Sequence, residues 1–205
     1  FQIGGDLYDF IQIDNDSFVV VMADVIGKGI PAAIMMGMVK GALRAFVDCM
    51  QTCDKYSLAS VIAKMNKFTY EQCSNGEFVT LFIGVINTRQ MTLRYCNCGH
   101  EPAVLVRDGE IAELNEGGMV LGVEIDTKHN IVSTDLKADD LLLFYTDGLI
   151  DAVNFDNKIW GRERLYETII KCDKRSAKLF THNLLGYRRR FTGLSPQQDD
   201  NTNIL

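Results

Sequence analysis

Residues 7–14 and 18–25 are runs of β-branched and aromatic residues on either side of Asp14, Asn15, Asp16 and Ser17, a cluster of turn formers, and together they predict a β-hairpin. In an antiparallel hairpin the indices of opposed residues keep a constant sum, here about 30 or 31, which sets Asp6 opposite Asp24 or Val25. Two carboxylates therefore meet at the open end. Like charges across a ladder are unfavourable unless offset, either by a bound cation or by splaying into solvent at a frayed end. The hairpin alone leaves both readings open.

After the loop at residues 27–29, Pro31 suits a first helical turn, and the run to Val47 is apolar on almost every side, broken by Lys40 and Arg44. Such a helix is expected to be buried or to meet a partner, with Met35, Met36 and Met38 as core filler. A second helix is predicted over residues 58–73, capped by Ser57 or Ser60. Strands follow at 78–86 and 91–98. Another hairpin at 103–106 and 110–114 turns on Asp108 and Gly109, with further strands at 131–134 and 141–145. Residues 162–172 and 176–191 read as helices, and 202–205 as a final strand. This order favours an α+β fold, a central antiparallel β-sandwich flanked by α-helices, over a parallel doubly wound sheet.

Composition narrows the class. With 205 residues, 47% hydrophobic and 23% charged, the chain reads as one folded domain, residues 1–205, without repeats. It starts at Phe1, inside an expected strand and without an initiator methionine, as a piece of a longer protein would. The longest apolar run, 29–39, stops at Lys40, short of the ~20 residues that span a bilayer, so no membrane span is expected. A net charge of −6 disfavours nucleic acid, and Arg188, Arg189 and Arg190 are read as a solvated helix face. The six cysteines lack zinc spacing, Cys96 and Cys98 included, and fit a reducing cytoplasm.

Four acids stand at predicted strand ends: Asp6, Asp24, Asp147 and Asp199. Glycine adjoins Asp6 and Asp147, and a glycine beside an acid lets backbone come close to an ion; oxygen donors without His or Cys select hard cations such as Mg²⁺ or Mn²⁺. Paired ions of that kind support phosphoryl transfer, on a monoester or a diester alike.

The segments GGDLYDF (4–10), ADVIGKGIPAA (23–33), FVTLFIGVI (78–86), NCGHEPAVLV (97–106), GGMVLGV (117–123), FYTDGLIDAVN (144–154), WGRERL (160–165) and DDNTNIL (199–205) resemble, in order, the SpoIIE/RsbU branch of the PPM metal-dependent serine/threonine protein phosphatases. The resemblance implies two Mn²⁺ or Mg²⁺ ions. Asp24 would bridge them, Asp6 and the Val25 carbonyl would hold the second, and Asp147 and Asp199 would complete the first. Asp9 and Asp200 stay outside that set. The nucleophile would be metal-activated water, and His100, in NCGH, would be structural. Eukaryotic members of the wider class carry DGHGG where this chain has DVIGK, so their proposed general-acid histidine is replaced by Ile26.

The resemblance further implies phosphoserine or phosphothreonine hydrolysis on a small regulatory protein of the anti-sigma-factor antagonist kind. It also implies an upstream sensor or receiver domain and control through dimerisation or movement of the helix at 31–47. A silent phosphoprotein-binding module is the alternative, although all four aspartates are present. A diguanylate cyclase, suggested by GGD at 4–6, lacks the expected acid at position 7.

Overall fold

The Asn-Asp turn closes the first hairpin as a ladder of β1 (Asp6–Gln12) against β2 (Ser17–Val25), with Ile13 and Asp14 both donating to the Ser17 carbonyl. The computed structural model describes residues 4–52, 57–73, 76–174, 176–195 and 199–205. The expected strand start at residue 1 and the thiol of Cys53 lie outside them. The chain divides into two compact units, residues 1–102 with 114–138, and residues 103–113 with 139–205.

In the first unit α1 (Ile30–Thr52) and α2 (Leu58–Gln72) follow the hairpin, then β3 (Val79–Asn87) and β4 (Thr92–Cys98). The sheet order is β1-β2-β3-β4, antiparallel throughout. Two short strands complete it at β4: Gly117–Gly118 runs parallel to it and Val132–Asp135 antiparallel. The parallel pair was not legible as a strand, because two glycines carry no β pattern. Their place is set by contact instead, since a side chain at Gly117 would lie 2.1 Å from the Asn97 carbonyl oxygen.

Alternation along β2 puts Val19, Val21, Ala23 and Val25 on one core face, joined by Leu81 and Ile83 from β3. The helices supply Ala32, Met36, Val39, Leu43 and Val47 from α1, and Leu58, Val61, Ile62 and Met65 from α2. Ser57 caps α2 in a reciprocal capping box with Ser60, which removes two unpaired backbone donors at the helix start.

Three expectations about α1 need correction. The helix runs to Thr52, five residues past the predicted end, because nothing between Val47 and Thr52 breaks it. At 23 residues it is long and apolar enough, by length and composition, to cross a membrane, so the run stopping at Lys40 was a poor limit. It nevertheless docks on the sheet through one stripe, and Ile30, Ile34 and Met38 stay exposed. Of the three methionines, Met36 is core and Met35 packs beside it, whereas Met38 is not filler.

In the second unit β5 (Ala103–Arg107), β6 (Glu110–Leu114), β9 (Leu141–Tyr145) and β10 (Asn203–Ile204) form a sheet ordered β10-β9-β5-β6, with β7 and β8 naming the two short strands above. Asp108 and Gly109 both take positive φ, as a tight two-residue hairpin turn demands. Val104, Val106, Leu141 and Leu143 face a core completed by Leu165 and Ile169 of α3 (Gly161–Lys171) and by Phe180 and Leu184 of α4 (Ala177–Thr192). The α+β class stands.

Candidate metal centre

Asp6 and Asp24 are direct partners in the β1–β2 register. The Val25 amide donates to the Gly5 carbonyl at 3.3 Å, which makes Gly5 and Val25 a hydrogen-bonded pair. Such pairs alternate along an antiparallel ladder, so Asp6 and Asp24 form the intervening type, in which side chains approach most closely. Gly5 permits this approach, because a Cβ there would meet the Val25 carbonyl oxygen at 2.7 Å and Asp24 Oδ1 at 2.9 Å. The two carboxylates and the Val25 carbonyl are thus gathered at one hairpin end, with a cradle that any side chain at position 5 would fill. This all-oxygen donor set fits a hard divalent cation and disfavours zinc.

On its other side Asp24 faces Thr80 of β3. The Thr80 hydroxyl donates to the Asp24 carbonyl at 3.3 Å and lies 2.8 Å from Nδ1 of His100. His100 is buried in a loop closed by Asn97, which accepts from the His100 amide at 2.7 Å and donates to its carbonyl at 3.0 Å. Beyond the hairpin end, Gly27 and Gly29 adopt left-handed φ of 100° and 78°, turning the chain into α1. A cavity of ≈ 310 Å³ opens there, lined in part by Val25, Lys28, Pro31, Met38 and Glu77.

In the second unit Asp147 opens a 3₁₀ turn, Asp147–Leu149, directly after β9, and its carbonyl accepts from Ile150 and Asp151, each at 2.8 Å. The Thr146 amide donates to the Thr202 carbonyl, and the Thr202 amide donates back to Thr146 Oγ1, each at 3.1 Å. These bonds draw the 199–202 segment beside the turn. A Cβ on Gly148 would lie 1.6 Å from the Asp200 carbonyl oxygen, so only glycine allows the two segments to touch. Asp199 accepts from the Asp200 amide at 2.9 Å through Oδ1. The structure therefore pairs Asp6 with Asp24 in one unit and brings the Asp147 and Asp199 segments together in the other. Among the described residues no group of three or more His, Cys, Asp or Glu side chains is assembled for an ion.

Two charged residues took positions that their sequence context had not suggested. Asp9 is held by Arg44 of α1 through two parallel bonds of 2.6 Å, Nε to Oδ2 and Nη2 to Oδ1, and accepts the Phe10 amide as well. The signal was present: Leu7, Asp9 and Ile11 share the inward face of β1. Arg188 is not part of a solvated face. Its Nη2 donates to the Gly148 carbonyl at 2.9 Å, and burial, with the charge of Arg189 adding, holds its guanidinium pKa below the usual value. Phe180, Leu184 and Arg188 recur at four-residue spacing, so the half-buried Arg188 lies on the same face of α4 as the buried Phe180 and Leu184. Cys96 and Cys98 are packed in the first core with sulfurs 3.7 Å apart.

A family model described as Stage II sporulation protein E (SpoIIE) matches residues 14–205. Protein IcfG of Synechocystis sp. is 30% identical over 190 residues, which cover 82% of this chain and 30% of that protein. Phosphoserine phosphatase RsbU of Bacillus subtilis is 29% identical over 152 residues, covering 73% and 44%. The chain thus spans less than half the length of these two relatives. The solved PP2C phosphatase domain of SpoIIE from Bacillus subtilis, with a fragment of its regulatory domain, superposes with a TM-score of 0.83 at 16% identity, over 98% of this chain and 57% of that one. That likeness confirms the α+β fold.

Proposed function

Because this chain belongs to the SpoIIE family, we propose that it is a metal-dependent protein phosphatase that hydrolyses phosphoserine or phosphothreonine on a small regulatory protein. The observation that carries the reading is the direct register of Asp6 against Asp24 beside the Val25 carbonyl, a donor set arranged for a hard cation. Asp6, Asp24 and the Val25 carbonyl, with Asp147 and Asp199, are the proposed ligands. Two ions, Mn²⁺ or Mg²⁺, would neutralise phosphate charge and supply a water nucleophile for in-line attack.

Two buried thiols agree with a reaction that needs no covalent intermediate. Cys98 and Cys172 are buried, and burial raises the pKa of the Cys172 thiol; that of Cys98 is raised by its contact with Cys96 and by burial. Thiols kept protonated in a core are poor nucleophiles. Carboxylates registered against one another repel and gain from a cation, which ties ion binding to the hairpin geometry.

The relative named as a phosphoserine phosphatase, RsbU, supports the substrate class. By the family resemblance of its motifs, the proposed substrate is a phosphorylated anti-sigma-factor antagonist-like protein of the cytoplasm, and residues 1–205 are proposed to act as one catalytic domain of a longer regulatory chain. The exposed Ile30, Ile34 and Met38 of α1 are the proposed contact for a sensor or receiver domain, or for a second copy.

The test is hydrolysis of a generic phosphomonoester and of a phosphoserine peptide, with and without Mn²⁺, by this chain and by its Asp24→Asn and Asp147→Asn variants. Manganese-dependent turnover is expected, with both variants reduced on the order of a hundredfold or more. Turnover that is indifferent to both substitutions would overturn the reading. Phosphopeptide binding without metal uptake or turnover would leave a phosphoprotein-recognition module instead.

A further inference from the structure

We propose that Thr80 and His100 are positioning residues that set the affinity of the Asp24 site for its divalent cation, by fixing the peptide unit between Asp24 and Val25. This rests on reading Asp24 and Val25 as cation ligands. That one peptide unit joins the two proposed ligand groups, the Asp24 carboxylate on one side and the Val25 carbonyl on the other. A change of ψ at Asp24 or of φ at Val25 that the other does not cancel re-aims one of these groups relative to the other.

Both ends of the unit are held. Its N–H, on Val25, donates to the Gly5 carbonyl at 3.3 Å, and its C=O, on Asp24, accepts from the Thr80 hydroxyl at 3.3 Å. The hydroxyl is itself oriented by His100 Nδ1 at 2.8 Å. One proton order satisfies both contacts: Nδ1–H donates to Oγ1, and Oγ1–H donates to the Asp24 carbonyl. A hydroxyl that accepts a hydrogen bond becomes a better donor, so the two bonds strengthen each other.

The imidazole is a rigid anchor for this chain. His100 is 8% exposed and Asn97 3% exposed, and the Asn97 amide clamps the His100 main chain from both directions. Gly99, at φ 69°, passes within contact of Val120, where a Cβ would lie 2.4 Å from Cγ1, so the loop has no room to shift toward that side. The segment NCGH thereby transmits the position of the β4 end to the hairpin end through one ring and one hydroxyl.

The experiment measures Mn²⁺ binding by titration calorimetry on this chain, with metal-free thermal unfolding of every variant as the folding control. Thr80→Val and His100→Leu are each expected to weaken Mn²⁺ binding by about tenfold or more. Thr80→Ser keeps the hydroxyl, and His100→Asn keeps a donor near the Nδ1 position, so both should stay within about threefold of wild type. In the Thr80→Val/His100→Leu double variant the loss should be no larger than in the worse single, as coupled members of one chain require. Weakening in the conservative variants equal to that in Val and Leu would show a packing effect and overturn the proposal. So would unchanged Mn²⁺ affinity in Thr80→Val, while the cation site itself would survive. Absence of saturable Mn²⁺ uptake by the wild-type chain would instead overturn the cation reading, and the proposal with it.

Discussion

Asp6 stands directly opposite Asp24 at the open end of the first hairpin, in the pair type that brings side chains closest, and both acids are conformationally committed by the ladder on which they sit. Opposed carboxylates cost folding energy in the absence of a cation. Removing one charge, in Asp6→Asn, is expected to raise metal-free stability by roughly 0.5–1 kcal/mol. The same change should reduce the rise in Tm expected of the wild type with Mn²⁺, since it removes a proposed ligand of one of the two ions; one occupied site is worth about 2.7 kcal/mol at a hundred times Kd. Thermal unfolding of both proteins, with and without Mn²⁺, checks both signs at once.

The Asp9–Arg44 pair predicts an asymmetry. Asp9 is 7% exposed, whereas the Arg44 side chain is 51% exposed. Arg44→Leu strands a buried carboxylate, while Asp9→Leu leaves a guanidinium that water can still reach. Arg44→Leu should therefore lower Tm more than Asp9→Leu, and the double variant should lose less than the sum of the two. A denaturation cycle over the four proteins reads this directly.

Glycines divide sharply by what surrounds them. Gly148→Ala must push against the Asp200 carbonyl, and is expected to cost about 2–3 kcal/mol and to disturb the Asp147 turn. Gly186, in the middle of α4, has open space within 4 Å of where a Cβ would sit, so Gly186→Ala should stabilise by roughly 0.5–1 kcal/mol through helix propensity alone. Urea denaturation midpoints of the two variants should move in opposite directions.

A pH dependence follows from Tyr95. Its hydroxyl donates to Glu116 and holds that carboxyl below its usual range. A carboxyl with a depressed folded pKa contributes stability above its unfolded value, near about 4.3, and loses it as pH falls through the lower folded value. Wild-type Tm should decline over that acid window more steeply than that of Tyr95→Phe, in which the donor is gone. Melting curves between roughly pH 5 and pH 3 compare the slopes.

Much of the fold was legible because its signals are local. Turn formers and β-branched runs located both hairpins, Ser57 or Ser60 marked the start of α2, and a constant index sum placed Asp6 against Asp24 or Val25; the structure decides for Ser57 and Asp24. What escaped depended on partners distant in sequence. Asp9 could be put on the inward face by alternation, yet nothing local names Arg44 as the cation that meets it. Arg188 lay in a basic run that composition assigned to solvent, and its contact with Gly148 exists only after α4 packs beside the β9 end.

By itself, then, the sequence determined the α+β class, the order of elements and the identity of the acidic strand ends, since periodicity and turn chemistry act within a few residues. The tertiary structure alone decided how those ends are framed: the close approach at Gly5, the contact of Gly148 with Asp200, and the line from His100 through Thr80 to the Asp24 carbonyl. Such contacts join residues far apart in the chain, and close packing together with the pairing of buried polar groups fixes them only when the folded elements meet.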